Sequence, residues 1–126
     1  MMRYMLDTNI CIYLINKKPE QVITRFKACK KGEIVMSSIT WAELCCGLDI
    51  HNHAHQFDEL AAHISVVDFD RKAAVQFGIL SQQFPNRKSS FDRMIVAHAI
   101  ALGLVLVTNN PADFSLYDLS VENWTE

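Results

Sequence analysis

Short apolar runs with no polar alternation, each broken abruptly by polar residues, constrain this chain more than any other feature. Tyr4-Met5-Leu6 ends at Asp7-Thr8-Asn9, Ile34-Val35-Met36 ends at Ser37-Ser38, and Leu104 to Val107 ends at Thr108-Asn109-Asn110. A strand with one wet face alternates, whereas an unalternated run is covered on both faces, as in a parallel sheet. Parallel strands need helical crossovers, and helical spacing does lie between the runs. Val22, Ile23 and Phe26 repeat at i, i+1, i+4, and Ala73, Ala74, Phe77, Leu80, Ser81 and Phe84 mark an amphipathic helix. Met94, Ile95, His98, Ala101 and Leu102 form a further stripe that stops at Gly103. The pattern predicts strands near 3–7, 34–37, 65–68 and 104–107, with a short edge strand between 114 and 121. Helices are expected near 8–16, 19–31, 40–50, 54–63 and 71–84, with Asp92 in the first turn of another. The fold expected is a three-layer α/β/α single domain over 1–126, built on a central parallel sheet of four to five strands.

Composition narrows the function classes. A chain of 126 residues can bury one self-sufficient core. Its formal net charge of −2 excludes a globally basic nucleic-acid binder, so a polyanionic partner has to be held by local patches. The stretch Met94 to Val107 is interrupted by His98 and Gly103, short of the roughly 20 apolar residues of a membrane span. With no basic-then-apolar leader, a cytoplasmic protein without a membrane partner is expected. Cys11 and Cys29 sit in helical patterns and Cys45 adjoins Cys46, so the thiols are expected to be reduced and buried. His51, His53 and His55 lack an acid or cysteine at zinc-motif spacing, and an exposed inter-helix turn is expected there.

Four acids stand where apolar strands give way to helices: Asp7, Glu43, Asp92 and Asp113. Each has a local alternative. Asp7 can cap the first helix, and Thr40 to Glu43 has capping-box spacing. Asp92 lies three residues after Ser89, and Asp113 follows an Asn110-Pro111 helix start. Their coincidence points elsewhere, because strand ends and helix starts share one edge of a parallel sheet, where ligands bind. Carboxylates crowded on that edge repel one another and favour a cation. An oxygen-only donor set suits Mg²⁺ or Mn²⁺, which neutralise phosphate charge and activate water.

Met5-Leu6-Asp7-Thr8-Asn9-Ile10, Ser38-Ile39-Thr40-Trp41-Ala42-Glu43-Leu44, Phe91-Asp92-Arg93-Met94-Ile95-Val96-Ala97-His98-Ala99 and Val107-Thr108-Asn109-Asn110-Pro111-Ala112-Asp113-Phe114 resemble the signature blocks of PIN-domain ribonucleases. More narrowly, they resemble the VapC toxins of toxin–antitoxin pairs, in family order and over essentially the whole chain. The resemblance implies a PIN-like fold and an Mg²⁺- or Mn²⁺-dependent endoribonuclease acting on structured RNA, most often a transfer RNA. It implies a catalytic quartet of Asp7, Glu43, Asp92 and Asp113, with Asp7 and Asp92 as metal ligands and Asn9 and Thr108 as supporting polar groups. It also implies a homodimer and a small cognate antitoxin that blocks the site. One departure is Lys88-Ser89-Ser90, where many relatives carry a Gly-Pro-rich turn before the third acid.

Lys17, Lys18, Arg87, Lys88 and Arg93 are expected near the acidic edge, where cations would hold RNA phosphates. Two alternatives remain open. A receiver-like signalling domain also clusters acids around Mg²⁺, but it needs a Lys after a late strand, where this chain has Thr108-Asn109-Asn110. A PIN-like module that binds RNA without cleaving it would keep the fold and lose the chemistry.

Overall fold

A computed structural model describes residues 1–49, 51–85 and 90–126. The chain runs β1 (Tyr4–Leu6), α1 (Thr8–Asn16), α2 (Glu20–Lys27), β2 (Ile34–Ser37), α3 (Ser38–Gly47), α4 (Ala54–His63), β3 (Ser65–Val67), α5 (Arg71–Gln83), α6 (Phe91–Leu102), β4 (Val105–Val107), a 3₁₀ turn (Pro111–Phe114) and β5 (Val121–Glu122). The strands form one parallel sheet in the order β3-β2-β1-β4-β5. The central strand β1 sets Tyr4 against both Ile34 and Val105. The three-layer α/β/α architecture read from the sequence is therefore the one observed.

The missing alternation now has its physical cause. Tyr4, Leu6, Ile34, Met36 and Val107 pack on one face against Ile10, Cys11, Val22, Phe57 and Leu60 from α1, α2 and α4. Met5, Val35 and Leu106 point to the other face, against Leu80 of α5 and Ile95, Val96 and Ala99 of α6. Both faces are dry, so polar atoms on the inner strands are confined to their ends. Truncating Leu6, which is fully buried, to alanine would cost about 2–5 kcal/mol. The outlying β3 differs, with Ser65 and Val66 exposed.

Several local expectations give way to tertiary context. Helix α2 ends at Lys27, and Gly32 (φ 92°) serves a tight turn closed by Glu33 N–H donating to the Lys30 carbonyl at 3.1 Å. Thr40 does not open α3. The cap is Ser37, whose hydroxyl accepts from Ile39 N–H at 3.1 Å, while Thr40 is fully buried. Gly103 (φ 69°) ends α6 as expected, with Leu104 N–H donating back to the Ala99 carbonyl. All four cysteines are free, but only Cys11 is buried; Cys45 and Cys46 are exposed, and Cys29 lies just beyond α2. The histidine cluster is a turn on Asp49 leading into α4, as expected.

Candidate metal centre

In a parallel sheet every strand C-terminus reaches the same edge. Here Asp7 follows β1, α3 follows β2, and Thr108 to Asp113 follow β4. Asp7 is the inner member, 6% exposed, its N–H donating to the Val107 carbonyl at 2.9 Å. It caps α1, its Oδ1 accepting from Ile10 N–H at 3.1 Å. The Thr108 hydroxyl accepts from Asn110 N–H at 3.2 Å and hydrogen-bonds the Asp7 carboxylate. Burial nevertheless dominates, with the Asp92 charge adding to it, and pushes the Asp7 carboxyl up to about 6. Asp92 stands in the exposed first turn of α6; protein crowding around its carboxyl, then the Asp113 charge, raise it above the ordinary carboxylate range.

The remaining acids are held by neighbours rather than left free. Thr8 Oγ1 donates to Glu43 Oε1 at 2.7 Å, fastening the third acid beside the residue that follows Asp7. This contact, not a capping box, is Glu43's partner. Asn110 makes no side-chain cap bond; its Nδ2 donates to Asp113 Oδ2 at 2.9 Å. Asn9 Nδ2 donates to Asn109 Oδ1 at 3.2 Å, and Asn109 Nδ2 donates to Tyr13 Oη at 3.1 Å, tying α1 to the loop after β4. Helix α3 is itself pinned at its start. His98 Nδ1 lies 2.8 Å from Ser37 Oγ, and Phe69 N–H donates to Ser38 Oγ at 3.0 Å.

The structure thus brings Asp92 within electrostatic reach of Asp7 and of Asp113, while Glu43 is held by Thr8, the residue that follows Asp7. Among the described residues, no group of three or more His, Cys, Asp or Glu side chains is placed so that it could hold a metal ion. None of the four acids makes an ion pair there either. Asp7 and Asp92, two coupled carboxylates without a cationic partner among the described residues, fit a hard cation that keeps several of its waters and binds through one or two carboxylates.

The cations expected beside this edge fare differently. Arg93 is 1% exposed and turned inward, so its guanidinium is committed to the protein rather than offered to a phosphate. Lys17 and Lys18 follow the far end of α1, about 13 Å of helix away from Thr8. Arg87 and Lys88 lie outside the described residues. Reading the sequence missed Thr8, Asn110 and Tyr13 as supports; Thr8 and Asn110 adjoin already suspected residues, but Tyr13 carried no local signal. It also missed Arg71 and Lys72, exposed in the first turn of α5 just beyond the end of β3. A groove of about 620 Å³ lined by Leu14, Ile23, Phe26 and Leu60, with Lys17 and His63 at its walls, includes none of the four acids.

Known proteins resemble this chain in sequence and fold. The PIN domain family matches residues 4–118. The tRNA(fMet)-specific endonuclease VapC of Shigella flexneri is 34% identical, covering 99% of this chain and 100% of that protein. The chain belongs to the PIN-domain family, among the VapC ribonucleases. Ribonuclease VapC2 of Rickettsia felis is 35% identical to this VapC-family chain over 98% of each. Among solved structures, VapBC2 from Rickettsia felis bound to a promoter DNA fragment superposes with a TM-score of 0.87 at 33% identity, covering 98% of this chain and 99% of that one. DNA-bound VapBC from Salmonella typhimurium gives 0.88 at 32% identity, with the same coverage. PIN-domain nucleases are generally divalent-metal dependent, which agrees with the chemistry of the donor set. Among the described residues, no helix is long and apolar enough to cross a membrane.

Proposed function

We propose that this chain is an Mg²⁺- or Mn²⁺-dependent endoribonuclease that cleaves structured RNA, most often a transfer RNA, as the toxin of a toxin–antitoxin pair. The observation that carries the reading is Asp7, a buried carboxyl beside Asp92 with no cationic partner among the described residues. Asp7 and Asp92 would hold the metal, with Glu43 and Asp113 beside them. A divalent cation bound there supplies charge neutralisation for the scissile phosphate and a water of lowered pKa. The chain's own contribution is placement: Thr108 fixes Asp7, Thr8 fixes Glu43 and Asn110 fixes Asp113. A receiver-like role fits less well because Thr108 stands where a lysine is needed.

The partner reading rests on two other surfaces. The antitoxin of the pair would lay an amphipathic segment along the apolar groove of α1, α2 and α4. Exposed Val75 and Ile79, one turn apart on α5, support a homodimer. A cytoplasmic location for the single domain fits an enzyme whose substrate is cellular RNA. The test is incubation of the purified protein with bulk transfer and ribosomal RNA under Mg²⁺, Mn²⁺ or chelator, beside Asp92→Asn. Cleavage that chelation abolishes and the variant lacks is expected. Cleavage indifferent to both would refute the site, and binding without cleavage would favour the inactive module.

A further inference from the structure

Arg93 is the residue whose surroundings the carboxylate chemistry leaves unexplained. It follows Asp92 in the first turn of α6, where a basic side chain would ordinarily reach solvent, yet it is buried. Its Nε donates to Tyr117 Oη at 3.3 Å, Nη1 to Ser81 Oγ at 3.4 Å and Nη2 to the Phe84 carbonyl at 3.3 Å. Its main-chain N–H donates to the helix cap, Ser90 Oγ, at 3.2 Å. All three side-chain partners are neutral, and among the described residues no carboxylate pairs with it. A guanidinium buried among neutral groups is a poor source of stability, since an apolar side chain of similar volume often does as well or better. What it does supply is direction: a planar fork of donors joins fixed acceptors at fixed angles.

The acceptors identify what is joined. Ser81 and Phe84 end α5, Arg93 itself belongs to the turn that carries Asp92, and Tyr117 lies four residues beyond Asp113. Tyr117 is folded back on the Asp113 turn, its N–H donating to the Phe114 carbonyl at 3.1 Å. Phe84 and Tyr117 meet edge-to-face at 5.4 Å beside the guanidinium. Asp92 and Asp113 therefore sit on two segments that their own like charges drive apart and that Arg93 ties together. We propose that Arg93 is a positioning residue, whose guanidinium braces the first turn of α6 against the Asp113 segment and so sets how Asp92 and Asp113 are presented to a divalent cation. This rests on the metal-site reading given above.

Two variants test it. Arg93→Met keeps length and bulk while removing charge and donors, and Tyr117→Phe removes one hydroxyl. Three readouts are taken: amide hydrogen exchange across 111–117 without metal, the Mn²⁺ concentration that half-saturates the rise in melting temperature, and RNA cleavage. Arg93→Met is expected to speed exchange in that segment and raise the half-saturating Mn²⁺ about 10- to 100-fold, the usual penalty for losing a residue that orients ligands. Cleavage should fall alongside, and Tyr117→Phe should move in the same direction by less. A purely structural role would lower the metal-free melting temperature and leave the half-saturating Mn²⁺ unchanged; that result overturns the proposal. Should Arg93→Met fail to fold, an unchanged Mn²⁺ dependence in Tyr117→Phe overturns it equally. A wild type without any Mn²⁺ response would sink the metal-site reading instead, while the exchange data would still decide whether Arg93 clamps the two segments.

Discussion

Asp7→Asn should make the metal-free protein more stable at neutral pH, although it alters a buried carboxyl on the functional edge. The folded carboxyl titrates at about 6 against an ordinary value of 3.8, chiefly because burial penalises its charge. The folded state therefore binds this proton more tightly than the unfolded state does. Stability falls as pH rises from about 4 to about 6 and stays low above that, a loss of roughly 3 kcal/mol. Asparagine removes the charge and keeps the cap, since its carbonyl can accept from Ile10 N–H and Thr108. Its new amide hydrogens, if unpaired, return about 1–2 kcal/mol of that gain. The net expectation is a stabilisation of roughly 1–2 kcal/mol at pH 7.5, on the order of 3–8 °C in melting temperature. Near pH 4, where wild-type Asp7 is already protonated in the folded state, the gain should give way to a deficit of about 1 kcal/mol. Saturating Mn²⁺ should invert the order: ligand at a hundredfold over Kd stabilises the wild type by about 2.7 kcal/mol and the variant by much less. Thermal melts from pH 4 to 7.5, in chelator and in Mn²⁺, provide the assay. A difference between the two proteins that is flat across pH refutes the buried-charge argument, and a variant that keeps the full metal shift refutes ligation.

Other consequences can be checked with the same protein. Thr8→Val frees Glu43 from its 2.7 Å hydrogen bond; cleavage should drop about 10- to 100-fold while melting temperature moves by only a few degrees. His98 is held neutral by burial against the opposing charges of Asp70 and Asp68, so its pKa is lowered and stability should be lost as pH falls through about 6.5. His98→Asn should flatten that part of the metal-free melting profile, and an unchanged acid slope would exonerate the imidazole. Arg71 and Lys72 are exposed at the start of α5, so Arg71→Ala with Lys72→Ala should weaken RNA binding. The fitted salt slope should shrink by about 1.4 for two single-strand phosphate contacts, and an unchanged slope would exclude them.

What was legible in the sequence is what local physics decides. Helix α1 begins at Thr8 and ends at Asn16 as expected, because Asp7 is an unambiguous cap and Lys17-Lys18-Pro19 stops the helix. The parallel sheet followed from dry strands, whose composition records burial on both faces. The errors arise where a residue had two admissible partners. Thr40-x-x-Glu43 satisfies the spacing of a capping box, but Ser37 at the strand end caps first, and Thr8, thirty-five residues away in sequence, claims Glu43. Arg93 was expected to hold RNA phosphates because it stands at a helix start beside the acidic edge, and nothing near it in sequence announces Ser81 or Tyr117 as partners. Lys17 and Lys18 were misplaced by overlooking direction: a crossover helix runs opposite to its strand, so its C-terminal lysines belong to the far edge.

The choice between helix cap and metal ligand at Asp7 dissolves in the structure. One carboxylate oxygen accepts from Ile10 N–H, and the hydroxyl of Thr108 also engages the group, so the side chain has little rotational freedom left. Neither contact neutralises its charge, and both act against burial without overcoming it. The cap thereby does for the acid what a metal ligand requires: it spends the entropy of orientation during folding and leaves a fixed anion facing its neighbours. Asp113 repeats the device with Asn110, and Glu43 does so with Thr8, each acid held by a neutral donor rather than a cation. Neutral donors are the telling choice. A lysine or arginine at any of those places would stabilise the carboxylate just as firmly but would occupy the charge that a divalent cation has to meet. Replacing Thr8 or Asn110 by lysine should therefore raise metal-free stability at neutral pH while weakening Mn²⁺ binding, and a variant that strengthened both would contradict this account of the edge.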